Sequence, residues 1–208
     1  MTTIYVVTHP QATHHTEGWV GGWYDSVLTD RGARHAQQIA VELYRRIAAA
    51  QTGSSLRLVS SDLTRAQQTA DAIAEILELQ VELDDRLREQ HYGTAEGQPV
   101  GTHPYEPLPK TGDRLHFVSG PGVETRAAWA QRVYDAMTAI YNQPAETTIV
   151  VTHGGSLTYV VASWIGMSLD TADRVRFKAS PGSITVLHDN DFHHDHTVAE
   201  LNSTDHLL

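Results

Sequence analysis

The chain has 208 residues, 40% of them hydrophobic and 19% charged, with a formal net charge of −10 and no cysteine. That excludes disulfides, thiolate nucleophiles and cysteine-held metals, and it argues against nonspecific contact with nucleic acid or an anionic membrane, since both need a basic surface. No apolar run is long enough to cross a bilayer, and the N-terminus passes straight into a strand with no basic, then apolar leader, so one cytoplasmic domain covering 1–208 is expected.

The first element is a short run of apolar, largely β-branched residues, Ile4-Tyr5-Val6-Val7, ending in Thr8-His9-Pro10. It reads as a buried strand with a histidine where the strand stops, and in open α/β sheets such carboxyl ends face the ligand crevice. Residues 16–28, rich in glycine and tryptophan, have neither helical nor strand periodicity and are expected to form a loop packed by Trp19 and Trp23. Thr29 is a plausible N-cap for an amphipathic helix carrying Ala36, Ile39, Ala40, Leu43 and Ile47, which ends before Thr52. Residues 56–60 form a strand, and Ser61-Asp62-Leu63-Thr64-Arg65 opens a helix with Ala66, Ala70, Ile73 and Leu77 on one face; Asp62 and Thr64 read as capping residues.

Residues 81–83 suggest a further strand, followed by a polar string from Asp84. Five prolines and several glycines break up residues 96–122, which are expected to form a lid or specificity segment. Helical spacing returns over 124–141. The string T-T-I-V-V-T-H-G-G at 147–155 then repeats the opening device of strand, threonine and histidine, and precedes a helix that stops near Gly166. Residues 184–187 and 198–201 read as a hairpin at the sheet edge. The alternation of strands and helices predicts a three-layer α/β/α sandwich around a mostly parallel sheet.

Two strands that each end Thr-His suggest one pocket holding His9 and His153. Arg65, at a strand-to-helix turn, and Glu89, in a polar loop, complete a set able to cleave a phosphate ester. A neutral imidazole of His9 would attack phosphorus, Arg65 and His153 would hold the phosphoryl oxygens, and Glu89 would protonate the leaving oxygen and then deprotonate water. That last role requires a raised proton affinity at Glu89. The tract from His193 to His196 has metal-ligand residue types, but successive strand histidines project to opposite sides, and a polar hairpin tip accounts for them. No metal and no cofactor is expected.

In these residues the chain resembles the histidine phosphatase superfamily, also called the phosphoglycerate mutase-like family. Thr8-His9-Pro10 matches its Arg-His-Gly signature, and G-W-Y-D-S-V-L-T-D-R-G at 22–32 is similar to the segment before the first helix in cofactor-dependent phosphoglycerate mutases. S-S-D-L-T-R-A-Q-Q-T-A at 60–70 supplies Arg65, L-R-E-Q-H-Y-G at 87–93 supplies Glu89, and V-V-T-H-G-G at 150–155 supplies His153. The resemblance implies a phosphoglycerate mutase-like fold and catalysis by His9, Glu89 and His153. It implies substrate contacts from Arg65, Thr8, Gly154, His15, where mutases carry a phosphate-binding asparagine, and Tyr92, where they contact a carboxylate. Tyr92 reads equally well as a packed loop aromatic.

Thr8 stands where the family has a phosphate-binding arginine, Pro10 where it has glycine, and Gln11 where it usually has glutamate. Loss of that charged hydrogen bond predicts phosphate affinity or rate lower by roughly tenfold to a hundredfold, because such a bond contributes about 1.5–3 kcal/mol. Protonated His14 or His15 would compensate in part; a solvated turn explains them equally. Thr8→Arg is expected to improve turnover. The reading is a phosphomonoesterase acting on a small phosphorylated molecule, with a phosphoglycerate mutase or a repurposed anion-binding member as alternatives and a homodimer left open.

Overall fold

In the computed structural model, which describes residues 2–50, 55–143, 145–190, 192–193 and 195–207, the opening run forms β1 (Thr3–Thr8). Its downstream echo forms β4 (Thr147–Thr152), and the two pair in parallel with Val6 opposite Val150 and Thr8 opposite Thr152. This register brings the following histidines to the same level of the sheet, and the His9 amide donates to the Thr152 carbonyl at 3.1 Å. β2 (Leu56–Ser60) pairs in parallel with β4, and β3 (Val81–Leu83) with β2. On the far side of β1, β5 (Ile184–Asn190) runs antiparallel and β6 (Asp195–Ser203) closes the edge as its hairpin partner. The order is β3-β2-β4-β1-β5-β6.

Every residue of β1 and β4 is buried because helices cover both faces. The period-two alternation divides β1 between two cores. Tyr5 and Val7 pack with Ile39, Leu43, Ile149 and Val151 under α2 (Asp30–Ala50) and α3 (Thr64–Leu77). Ile4 and Val6 pack with Val133, Val150 and Leu157 under α4 (Arg126–Tyr141) and α5 (Ser156–Trp164). Leu43 is 0% exposed, so Leu43→Ala is expected to cost about 2–5 kcal/mol, the removed contacts plus a cavity that closes only partly. The expected three-layer sandwich is what the chain forms.

Local chemistry sets the helix starts. The Gly32 amide donates to the Thr29 hydroxyl at 3.0 Å, as expected of an N-cap. Thr125 caps α4 by accepting from the Ala128 amide at 3.2 Å. Asp62 does not cap α3. Its carboxylate pairs with Arg88, while Thr64 itself is held, amide and hydroxyl, by the distant carboxylate of Asp25 at 2.7 and 2.8 Å. Two short helices were not expected, α1 (Thr13–Glu17) and α6 (Leu169–Ala172). Each is one turn or little more, too short for hydrophobic periodicity to register.

Residues 96–122 are irregular, as their prolines imply, but they lie alongside the 18–20 loop. The Val20 amide donates to Gln98 O, the Gly97 amide to Val20 O and the Val100 amide to Gly18 O, each at 2.9 Å. In the hairpin tract, His196 stacks on Trp164 and His193 meets Phe192 edge to face; His194 and Asp191 lie outside the described residues, as do Gln51, Thr52, Gly53 and Ser54 after α2. No helix among the described residues is long and apolar enough to cross a membrane.

Candidate active site

The carboxyl ends of β1, β2 and β4 open into a cavity of ≈ 530 Å³. His9, Arg65, Glu89, Tyr92 and Gly154 line it with Thr8, His14 and His15, and His153 lies against His9 with ring centroids 5.0 Å apart. The residues picked from distant parts of the chain therefore converge.

His9 is 6% exposed. Its Nδ1 lies 2.8 Å from the Pro10 carbonyl, an acceptor only, so Nδ1 carries the proton and Nε2 keeps its lone pair. Arg65 donates its Nε–H to that Nε2 at 3.2 Å. Burial, and then the Arg65 charge, hold the His9 imidazole well below its ordinary value, so it is neutral at pH 7. The sequence motif thus yields a neutral ring with its free nitrogen fixed beside a guanidinium.

Arg65 is 1% exposed, an uncommon place for a guanidinium. Two main-chain carbonyls make it tenable: Tyr24 O accepts from one terminal nitrogen at 2.9 Å and Gly22 O from the other at 2.6 Å. Burial lowers it to about 10, opposed by Glu89, Asp25 and Glu96, and it stays charged. The loop carrying those carbonyls depends on Gly22, at φ +58°, where a Cβ would stand 2.5 Å from Glu96 Oε1 and 2.8 Å from Gln90 O. Glu96 holds the loop by accepting from the Trp23 amide at 2.7 Å and the Tyr92 amide at 2.8 Å.

His153 is fully buried, and burial with Arg65 and His9 beside it keeps it neutral. Its Nε2 lies 2.8 Å from the Ser61 hydroxyl, whereas its Nδ1 is buried without a hydrogen-bond partner among the described residues. Ser61 donating to Nε2 leaves the proton on Nδ1. An unpartnered buried polar atom is costly, about 1–3 kcal/mol, and such atoms gather where a ligand completes the bonding.

The Glu89 carboxylate accepts from the Gly155 amide at 2.7 Å and the Gln90 amide at 3.0 Å. Gly155 is obligatory here, because a Cβ would fall 2.3 Å from Glu89 Oε1 and 2.5 Å from the Trp129 ring. The loop behind Glu89 is threaded by Arg132, which donates to the carbonyls of Arg86, Arg88 and Glu89 at 2.7–2.8 Å, and by Trp23 Nε1, which donates to Glu89 O at 2.7 Å. Sequence reading passed over Ser61, Glu96 and Arg132; only Arg132 left a trace, a charge in register with the buried face of α4.

Thr8, His14 and His15 all line the cavity, each with further partners. Thr8 is 1% exposed, and its hydroxyl donates to Ser180 O at 2.7 Å and accepts from the Ser183 amide at 3.1 Å. It lines the cavity as an anchor for residues 180–183, with its proton committed. The solvated turn does not hold for His14, which is buried, whereas His15 is exposed; α1 places both over His9, His15 stacked at 5.7 Å. Neither is a cation at pH 7. His14 is lowered to about 3 by burial, with His15 and Arg65 adding, and His15 is lowered by burial and Arg65. The His15 Nδ1 accepts from the Ala12 amide at 3.0 Å, which puts its proton on Nε2 as a neutral donor.

The rest of the lining is a second wall, Arg176, Phe177, Lys178, Ala179, Ser180 and Pro181, and no residue from 97 to 122 lines the cavity. In sequence this wall is R-F-K, in an acidic chain just before the turn into β5. Among the described residues no group of three or more histidine or carboxylate side chains is placed to hold a metal ion.

Comparison with known proteins gives the chain a family and bears out its fold. The family model "Histidine phosphatase superfamily (branch 1)" matches residues 4–203. A Cronobacter sakazakii protein named "Probable phosphoglycerate mutase GpmB" is 29% identical over 185 residues, 86% of this chain and 81% of that protein. Among solved structures, the alpha-ribazole phosphatase of Shigella flexneri superposes with a TM-score of 0.76 at 23% identity, covering 97% of this chain and 96% of that one. A mycobacterial glucosyl-3-phosphoglycerate phosphatase complexed with VO3 gives 0.77 at 20% identity, covering 98% and 100%. At such identities the structures speak for the fold, and the family match over nearly the whole length settles the affiliation: this chain belongs to branch 1 of the histidine phosphatase superfamily.

Proposed function

We propose that the protein is a phosphomonoesterase working through a phosphohistidine on His9. The observation that carries this reading is the His9 ring itself, neutral, with Nδ1 tied to Pro10 O and Nε2 facing Arg65 at 3.2 Å. An entering phosphoryl group takes over the Arg65 hydrogen bond, which frees the Nε2 lone pair. Nδ1–H of His153 and Nε2–H of His15 supply further donors to its oxygens. Nε2 attacks phosphorus, the ester P–O bond breaks, and Glu89 gives its proton to the departing oxygen. Glu89 then takes a proton from water, whose oxygen attacks the phosphohistidine and releases His9 and inorganic phosphate.

Hydrolysis of an aryl phosphate, abolished in His9→Ala, together with an acid-labile phosphoryl group trapped on His9, is the test. No turnover across a phosphoester panel by folded protein would favour a pocket that binds anions without cleaving esters. The mutase-named relative motivates a second reading in which a substrate hydroxyl replaces water as acceptor. Product analysis separates the two, since a mutase returns an isomeric ester and a phosphatase returns free alcohol and phosphate.

A further inference from the structure

Arg176 and Lys178 line the cavity that holds His9, His14 and His15, in a protein of net charge −10 with only two lysines. Most arginines of this chain sit on carboxylates, as Arg88 does on Asp62 and Arg132 on Glu124. Arg176 and Lys178 have neither an ion pair nor a hydrogen bond among the described residues. Glu89, occupied by two amides, is the one carboxylate lining the cavity.

The wall is built rather than loose. Upstream, Asp173 is 4% exposed and gripped by Arg114 at 2.7 Å and Arg126 at 3.1 Å. Downstream, Thr8 holds Ser180 O, and the Gly182 amide donates to Thr8 O at 3.1 Å. Between these clamps the segment has no regular structure, and Arg176 and Lys178 are exposed at a spacing of two, with Phe177 also on the cavity.

Position within the cavity assigns the side. His9, Arg65 and His15 take the phosphoryl group in the proposed mechanism, so the rest of the lining, Glu89, Tyr92 and residues 176–179, is what the leaving group meets.

We infer that Arg176 and Lys178 form a subsite for a second anionic group on the leaving group, so that the favoured substrates are phosphate monoesters also bearing a carboxylate or a second phosphate. This rests on the phosphatase reading for the position of the leaving group. A guanidinium fork and a mobile ammonium accept either anion, and about 530 Å³ leaves room for both ends of a small ester.

The test compares phenyl phosphate, 3-carboxyphenyl phosphate and 1,3-phenylene bisphosphate, measuring kcat/KM on the otherwise unaltered enzyme and Kd by calorimetry in a His9→Ala background. The expected result is a preference of about tenfold or more for one or both doubly anionic esters, the size of one charge-assisted contact. It should fall to near parity in R176Q/K178Q and persist in R176K/K178R. Which ester is favoured tells carboxylate from phosphate. No preference in the parent enzyme, or one untouched by R176Q/K178Q, overturns the subsite. Failure of the parent to cleave phenyl phosphate counts against the phosphatase reading instead, and the Kd comparison still decides the subsite.

Discussion

The two walls of the cavity are built on opposite principles. His9, Arg65 and His153 are 6%, 1% and 0% exposed, stand at or just beyond strand ends, and have their ring or guanidinium atoms fixed by carbonyls or a neighbouring hydroxyl. Arg176 and Lys178 are exposed on an irregular segment clamped only at its ends. A reacting group must hold its position and protonation state, which burial enforces. A group that selects substrates gains from reach and from ready exchange with solvent. On the proposed reading the difference teaches that chemistry and selectivity are physically separated, so each can be perturbed without the other.

The harshest way to break the comparison is on the buried wall. His9→Ala is expected to remove at least about 10³-fold of aryl phosphate turnover, since no other group can form the intermediate. His153→Ala removes the buried Nδ1 that has no partner among the described residues, and a loss of about 10²–10³-fold in kcat is expected if it serves the phosphoryl group; an unchanged kcat would show that Nδ1 does not meet the phosphoryl group. Arg65→Lys is expected to behave nearly as badly as Arg65→Ala, because an ammonium cannot serve Tyr24 O, Gly22 O and the substrate with one planar fork. Stopped assays at matched folded concentration report all three.

Protonation sharpens the same contrast. His9, His14 and His153 sit below the ordinary value of 6.5 in the folded chain, so the unfolded chain binds more protons as the medium acidifies. Stability is therefore complete above pH 6.5 and lost as pH falls toward the depressed folded values, by up to about 1.4 kcal/mol per pH unit for each buried ring. Melting temperatures should drop between pH 7 and pH 4.5, with a shallower slope in His14→Gln. A flat profile would mean these rings are solvated. The acid limb of kcat/KM due to His9 should likewise lie well below pH 6.5.

The smallest expected effect joins the walls. Thr8→Val removes the hydroxyl that holds Ser180 O and the Ser183 amide, a cost of about 1–3 kcal/mol for a buried acceptor left unmet. Discrimination among leaving groups should relax more than kcat falls. This anchoring also changes the sign expected for Thr8→Arg, which gives up the clamp as it introduces a charge at a 1% exposed position; lower thermal stability in calorimetry, with no gain in turnover, is the outcome now expected.

Much of the buried wall could be read from residue order alone. β1 and β4 had to be central strands, since an unbroken β-branched run is tolerated only where both faces are covered, and a histidine directly after such a strand has nowhere to go but the crevice. His9, Arg65, Glu89, His153 and the mostly parallel sandwich follow from that periodicity and from local motifs. What the order of residues could not contain is which distant groups neutralise or aim them. The carbonyls under Arg65, the Ser61 hydroxyl on His153, the carboxylate of Glu96 under the Trp23 amide and the neutrality of His14 arise from contacts between residues 12 to 92 positions apart or from burial itself. Thr8 looked like a lost phosphate ligand because it stands where the family has arginine, and its hydroxyl is an anchor because its neighbour in space, 172 residues away, is Ser180. Hydrophobic periodicity is local and so is written along the chain, whereas hydrogen-bond satisfaction and desolvation depend on what folding brings together. Only the tertiary structure decided which side chains stand free to meet a ligand.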